Sequence, residues 1–137
     1  DLGTVTFFEG EFFYSLNQFK RAHDIYSDAF TSIKAGDAAT EAGMQMAICL
    51  DQMNNPVGAL AVLGVLQDVY SDQTKAVQKA KDLEKSLNAK DGMADTFKIS
   101  EYKQKNFGRL LASAGKLKGL SQPDVKKAQA ANHDANF

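Results

Sequence analysis

A helical spacing of apolar residues runs through the middle of this chain and limits the folds open to it. In residues 17–33 the apolar side chains recur at steps of three and four residues, as they do on one face of an amphipathic helix. The same spacing continues in residues 38–53 and 56–70. Only two prolines, Pro56 and Pro123, occur in 137 residues, so few positions break a helix. The pattern predicts an all-α protein built from antiparallel helical hairpins.

Three more segments complete the predicted helices. Residues 4–15 place aromatic side chains around a helix, although their Thr-Val-Thr start would also suit a strand. Residues 73–87 are predicted to form a fifth helix, residues 88–92 a turn, and residues 94–118 a longer basic helix.

These elements divide the chain into three predicted regions. Residues 1–88 are expected to form a helical repeat-like domain that ends in a capping helix, and residues 89–119 a basic helical extension. Gly119 and Pro123 then break the helical pattern. Residues 120–137 are small, polar and without periodicity, which predicts a flexible tail.

Composition bears on the class and location of the protein. The longest strongly apolar run, residues 57–66, is about half the roughly 20 residues that a membrane-spanning helix needs. Cys49 is the only cysteine, which excludes an internal disulfide and a zinc site built on several thiolates. The chain begins at Asp1 instead of Met, which favours a processed chain that is exported or imported into an organelle.

The residues that usually carry catalysis are sparse. His23 and His133 lie far apart in sequence, and His23 falls on the polar side of its helix, where we expect a solvated side chain. Cys49 has no histidine or basic neighbour in sequence to activate it. Phosphate-binding glycine loops and nucleophile motifs are absent from the sequence. We therefore expect no enzymatic activity, no cofactor, no metal site and no small-molecule substrate.

An internal repeat with a shift of 37 residues links the first two predicted hairpins. Small residues match small ones and bulky residues match bulky ones, except where Phe19 matches Pro56. The paired positions are Gly10 and Ala47, Phe13 and Leu50, Phe19 and Pro56, Ala22 and Ala59, Tyr26 and Leu63, and Ala29 and Leu66. A small residue on each helix lets the two helices of a hairpin cross closely.

This pattern resembles the tetratricopeptide repeat over residues 4–71, with Gly10 and Phe13 in the places of that family's first-helix glycine and aromatic. The shift is longer than the family's usual ~34 residues, and Thr6 and Gly43 stand where the family favours a large aromatic. The resemblance implies a short right-handed stack of hairpins. A helical bundle without repeats is the alternative interpretation.

Tetratricopeptide proteins generally bind peptides or helices along the concave surface of their first helices. The resemblance therefore implies a noncatalytic adaptor or assembly subunit with a protein partner. Carried over by position, its groove consists of Phe7, Glu11, Tyr14, Met44, Ile48 and Asp51. The alternative is that these side chains are core, covered by another part of the same chain.

Charge is distributed unevenly along the chain. Residues 1–72 carry 3 basic and 10 acidic side chains, a balance of −7, whereas residues 73–137 carry 13 basic and 7 acidic ones, a balance of +6. The predicted basic surface comprises Lys98, Lys103, Lys105, Arg109, Lys116 and Lys118. Interleaved aromatics make a membrane surface or nucleic acid an alternative partner, although a solvated lysine face gives the same pattern.

Overall fold

Six helices and no strand occur in residues 2–31, 36–91 and 95–115, which are the part of the chain that the computed structural model describes. The prediction of an all-α protein is confirmed. The helices are α1 (Leu2–Ser15), α2 (Phe19–Phe30), α3 (Gly36–Gln52), α4 (Pro56–Val69), α5 (Thr74–Asp91) and α6 (Thr96–Ser113).

Two tight turns at equivalent positions join α1 to α2 and α3 to α4. Each turn contains an asparagine in the left-handed conformation, Asn17 with φ 60° and Asn54 with φ 61°. Asparagine tolerates this conformation better than most residues. Asn55 then caps α4 by accepting a hydrogen bond of 2.9 Å from the backbone N–H of Gly58. The two turns are 37 residues apart, the shift found in the sequence.

The helices enclose one continuous core. In chain order α1, α2, α3, α4 and α5 each pack on the next, α3 also contacts α1 and α5, and α6 packs on α4. The largest fully buried side chains include Tyr26, Phe30, Met46 and Leu63. Because α4 is covered by α3, α5 and α6, most of its residues are buried.

Small residues allow the close helix crossings on which this core depends. Ala22 and Ala59 are fully buried, as the repeat predicted. A side-chain carbon added at Gly10 would lie 2.5 Å from Cε1 of Tyr26, and one added at Gly43 would lie 2.7 Å from the ring of Phe30. At Gly10 and Gly43 the neighbouring helix therefore lies so close that a methyl group would not fit unless the neighbouring ring moved.

Two predicted boundaries are wrong. The turn expected at residues 88–92 is absent over 88–91, because α5 continues through Asp91 and its last residues include no helix breaker. The helix expected to reach residue 118 ends at Ser113, followed by Gly115 in the left-handed conformation with φ 69°. Residues 116–137, including the predicted tail, lie outside the described residues.

Helix α6 returns over α4 and extends the core. The ring of Phe107 on α6 packs edge-on against the ring of Phe30, and the two ring centroids are 5.8 Å apart. The backbone departs from helical geometry at Phe107, with φ −129° and ψ 15°, so α6 is kinked there. Leu110 and Leu111 follow the kink and are buried. The second half of α6 is thus part of the packed interior.

Candidate functional site

The six side chains of the predicted groove are all half-buried. Phe7, Glu11 and Tyr14 lie on α1, and Met44, Ile48 and Asp51 lie on α3. The two helices are joined directly, because Nε2 of Gln45 donates a hydrogen bond of 3.1 Å to Oε1 of Glu11. The structure thus places both sets of residues on neighbouring helices.

Glu11 is engaged within the chain. Besides Gln45 of α3, the hydroxyl of Tyr26 on α2 donates a hydrogen bond to its carboxylate. Burial and this carboxylate hold the pKa of the Tyr26 hydroxyl well above its ordinary value, so the phenol stays protonated. Glu11 therefore ties three helices together, and its carboxylate is already shared between two donors.

The aromatic side chains of the groove, Phe7 and Tyr14, pack against the core and remain partly exposed. The ring of Phe7 packs 5.8 Å from that of Tyr26, and the ring of Tyr14 packs 5.4 Å from that of Phe19. Met44 also packs against the core from α3. These contacts fix the side chains in place while leaving part of each accessible.

A hollow of about 450 Å³ lies between α3 and the start of α5 and extends the groove beyond Met44. Its lining is Thr40, Glu41, Met44, Gln73, Thr74, Lys75, Ala76 and Lys79. Except for Met44, sequence reasoning missed these residues. The signal that could have found them is the repeat itself, because one more shift of 37 residues carries the start of α3 to the start of α5.

The predicted basic surface is divided by the fold. Lys98, Lys105 and Arg109 are exposed and recur at helical spacing along α6. Lys103 instead lies across α4, where its Nζ would be 2.5 Å from a side-chain carbon added at Gly64. Lys116 and Lys118 lie outside the described residues. Three of the six cations therefore share one exposed face, and Glu101 is exposed on the same helix.

Two of the side chains weighed for catalysis, Cys49 and His23, are mostly covered, and His133 lies outside the described residues. Cys49 is fully buried, and burial together with the Glu11 charge raises the pKa of its thiol to about 12. The expectation of a solvated His23 is wrong, because its side chain is only 16% exposed. Its Nδ1 lies 2.9 Å from Oδ1 of Asp24, and its Nε2 is buried without a hydrogen-bond partner.

Within the described ranges, no three His, Cys, Asp or Glu side chains are grouped so that they could hold a metal ion. None of the helices in this part of the chain is long and apolar enough to span a membrane. Among known proteins, no family model, no curated protein and no solved structure matches this chain.

Proposed function

We propose that this protein is a noncatalytic adaptor or assembly subunit that binds another protein along α1, α3 and α5. In this proposal its hairpins stack as in a tetratricopeptide protein. The observation that carries the proposal is the row of half-exposed side chains on α1 and α3, which continues into the hollow between α3 and α5. Two hairpins with equivalent turns 37 residues apart support the repeat interpretation.

The chemistry of the hollow favours a peptide segment with one apolar and one acidic side chain. Met44 and Ala76 provide an apolar part that could hold an aliphatic or aromatic side chain. Lys75 and Lys79 are exposed beside it and could pair with a carboxylate, while Gln73 offers a hydrogen-bonding amide.

Site-specific crosslinking tests this proposal most directly. A photoreactive amino acid at Met44 should crosslink a protein partner from native extract, whereas the same group at Lys105 on the exposed face of α6 should not crosslink it. The captured partner is then identified, purified and titrated against variants.

The charge reversal Lys75→Glu with Lys79→Glu should raise the Kd for that partner about tenfold or more, since both side chains are exposed and lie outside the core. Phe97→Ala, at an exposed position on α6, is the control and should leave the Kd unchanged. A partner that binds both variants as tightly as it binds the original protein does not use this groove, and the proposal would then be wrong.

A second candidate function is binding of a negatively charged membrane surface or nucleic acid through α6. The observation in its favour is that Lys98, Lys105 and Arg109 line one exposed face, with Phe97 exposed to 70% at the same end as Lys98. Such binding weakens steeply with salt. Anionic liposomes and oligonucleotides should therefore bind at low salt, and absence of binding there excludes this function.

A further inference from the structure

A second hollow lies on α4 between α5 and α6. Both of these helices pack on α4, and the space between them has a volume of about 400 Å³. Small-molecule sites usually measure roughly 300 to 1,000 Å³, so this volume suits a small ligand. The lining consists of Leu60 and Gly64 of α4, Glu84 and Asn88 of α5, and Thr96, Ile99 and Lys103 of α6. None of these residues lines the hollow between α3 and α5.

Lys103 brings a positive charge to this hollow. Its Nζ would lie 2.5 Å from a side-chain carbon added at Gly64, so the ammonium fills space that any side chain at position 64 would need. Lys103 is half-buried, and in the described part of the chain it forms no ion pair. A partly covered ammonium without a carboxylate partner gives up hydration and gains no ion pair in return.

The small size of Gly64 serves this ammonium alone. Among the described side chains, only that of Lys103 comes within 4 Å of a carbon added at Gly64, whereas Gly10 and Gly43 face buried rings of another helix. Gly64 lies inside α4, where glycine lowers stability relative to alanine. The helix is thus weakened at the point where the unpaired cation lies. Departures of this kind from the most stable sequence are expected at functional sites.

A negative charge lines the same hollow from the opposite helix. Oε2 of Glu84 accepts a hydrogen bond of 3.1 Å from Nε2 of Gln67 on α4. The same Nε2 lies 3.2 Å from the carbonyl oxygen of Leu63, which holds the amide in place. In the described residues Glu84 forms no ion pair. Lys103 and Glu84 therefore line one hollow from two helices, and neither neutralises the other.

We propose that the hollow on α4 binds a small zwitterionic molecule with an aliphatic part, which is the chemistry of an aliphatic amino acid. The carboxylate of the ligand pairs with Lys103 and its ammonium with Glu84, so both charges of the hollow gain a partner. Leu60 and Ile99 supply apolar surface for the aliphatic part. The ligand is bound and not converted. This inference goes beyond the proposed adaptor function and uses a separate site.

Nuclear magnetic resonance of the isotope-labelled full chain tests the binding. Because the ligand is small and the hollow is open, we expect a Kd of about 0.1 to 5 mM for L-leucine. The backbone amide signals of Gly64, Ile99 and Lys103 should shift during the titration, whereas that of Met44 in the other hollow should not. A spectrum that stays unchanged up to about 20 mM leucine overturns the proposal.

Two analogues of leucine test the two charges of the ligand. Isocaproate keeps the aliphatic part and the carboxylate but lacks the ammonium, and leucinamide lacks the carboxylate. Each analogue should bind about tenfold or more weakly than leucine, because one charge of the hollow then stays unpaired. An analogue that binds as tightly as leucine overturns the assignment of a zwitterion.

Substitutions in the chain test the role of Lys103. Lys103→Met removes the charge, keeps an unbranched side chain and should raise the Kd for leucine about tenfold or more. Lys105→Met, on the exposed side of the same helix, is the control and should leave the Kd unchanged. Gly64→Ala should weaken binding by displacing the ammonium, while helix stability is kept or raised. Unchanged leucine binding in either Lys103→Met or Gly64→Ala overturns the proposal.

Discussion

Small side chains set how closely the helices of this protein approach one another. Ala22 of α2 and Ala59 of α4 occupy equivalent positions in the two hairpins, and neither has any exposed surface. Replacing either by leucine should lower the free energy of unfolding by about 1 to 3 kcal/mol, because the larger side chain pushes packed helices apart. Urea unfolding measures this change. Two variants with unchanged midpoints would contradict the position of these crossings.

Gly10 and Gly64 differ in whether the side chain that faces them can move aside. An added methyl group at Gly10 would meet the buried ring of Tyr26 at 2.5 Å, whereas at Gly64 it would meet the end of the Lys103 side chain at the same distance. Gly10→Ala should therefore destabilise the protein by about 1 to 3 kcal/mol. In Gly64→Ala the lysine can move aside, and the better helix propensity of alanine, about 1 kcal/mol, should leave stability unchanged or raised. Thermal unfolding of the two variants gives the comparison, and equal losses would contradict it.

The lone cysteine reports on opening of the core. Burial raises the pKa of the Cys49 thiol from its ordinary 9.0 to about 12, so at pH 8 its thiolate fraction falls roughly a thousandfold. A thiol reagent should therefore label the native protein slowly and the urea-unfolded protein rapidly. The folded thiol keeps its proton where the unfolded one loses it, so stability should fall as pH rises from about 9 towards 12. Rapid labelling of the fully helical protein would contradict this account.

At the level of whole helices, α6 is required to complete the interior. Phe107, Leu110 and Leu111 are buried, and burial of such side chains contributes about 1.5 to 3 kcal/mol each. Their sum is comparable with the whole stability of a small domain, about 5 to 15 kcal/mol. A chain truncated after Asp91 should therefore lose its cooperative thermal transition or unfold at a much lower temperature. A truncated chain that melts like the full-length protein would show that α1–α5 form a complete core.

For the molecule as a whole, we expect removal of residues 120–137 to change the melting temperature much less than removal of α6. Their last ten residues are too polar for burial to offset the roughly 1 to 2 kcal/mol per residue lost when a backbone is fixed. Truncation after Lys118 should therefore leave the melting temperature of the isolated protein nearly unchanged while weakening its assembly with a partner. A large fall in melting temperature would show that these residues pack on their own core.

The contrast between the two truncations also bears on the charge asymmetry of the chain. Exposed ion pairs contribute only about 0 to 1 kcal/mol each, so attraction between the oppositely charged halves would add little to folding. Apolar burial between α6 and α4 instead holds the basic helix to the rest of the molecule.

The sequence by itself determined that the chain is helical and which small residues lie at the helix crossings. These features are local: apolar spacing selects the helix, and Ala22 and Ala59 follow from the repeat. It also predicted that Phe7 and Met44 would lie on neighbouring helices. Each inference needed only residues within one hairpin or one shift of 37 positions.

The tertiary structure alone decided which apolar and charged side chains are covered. Phe12 and Phe13 are adjacent in sequence, yet Phe12 is 58% exposed while Phe13 packs against the core. Lys103 and Lys105 likewise separate, because α6 turns one towards α4 and leaves the other in solvent. Whether a side chain is buried depends on which distant helix packs on its face. The helical period shows which residues share a face, but it does not show which helix covers that face.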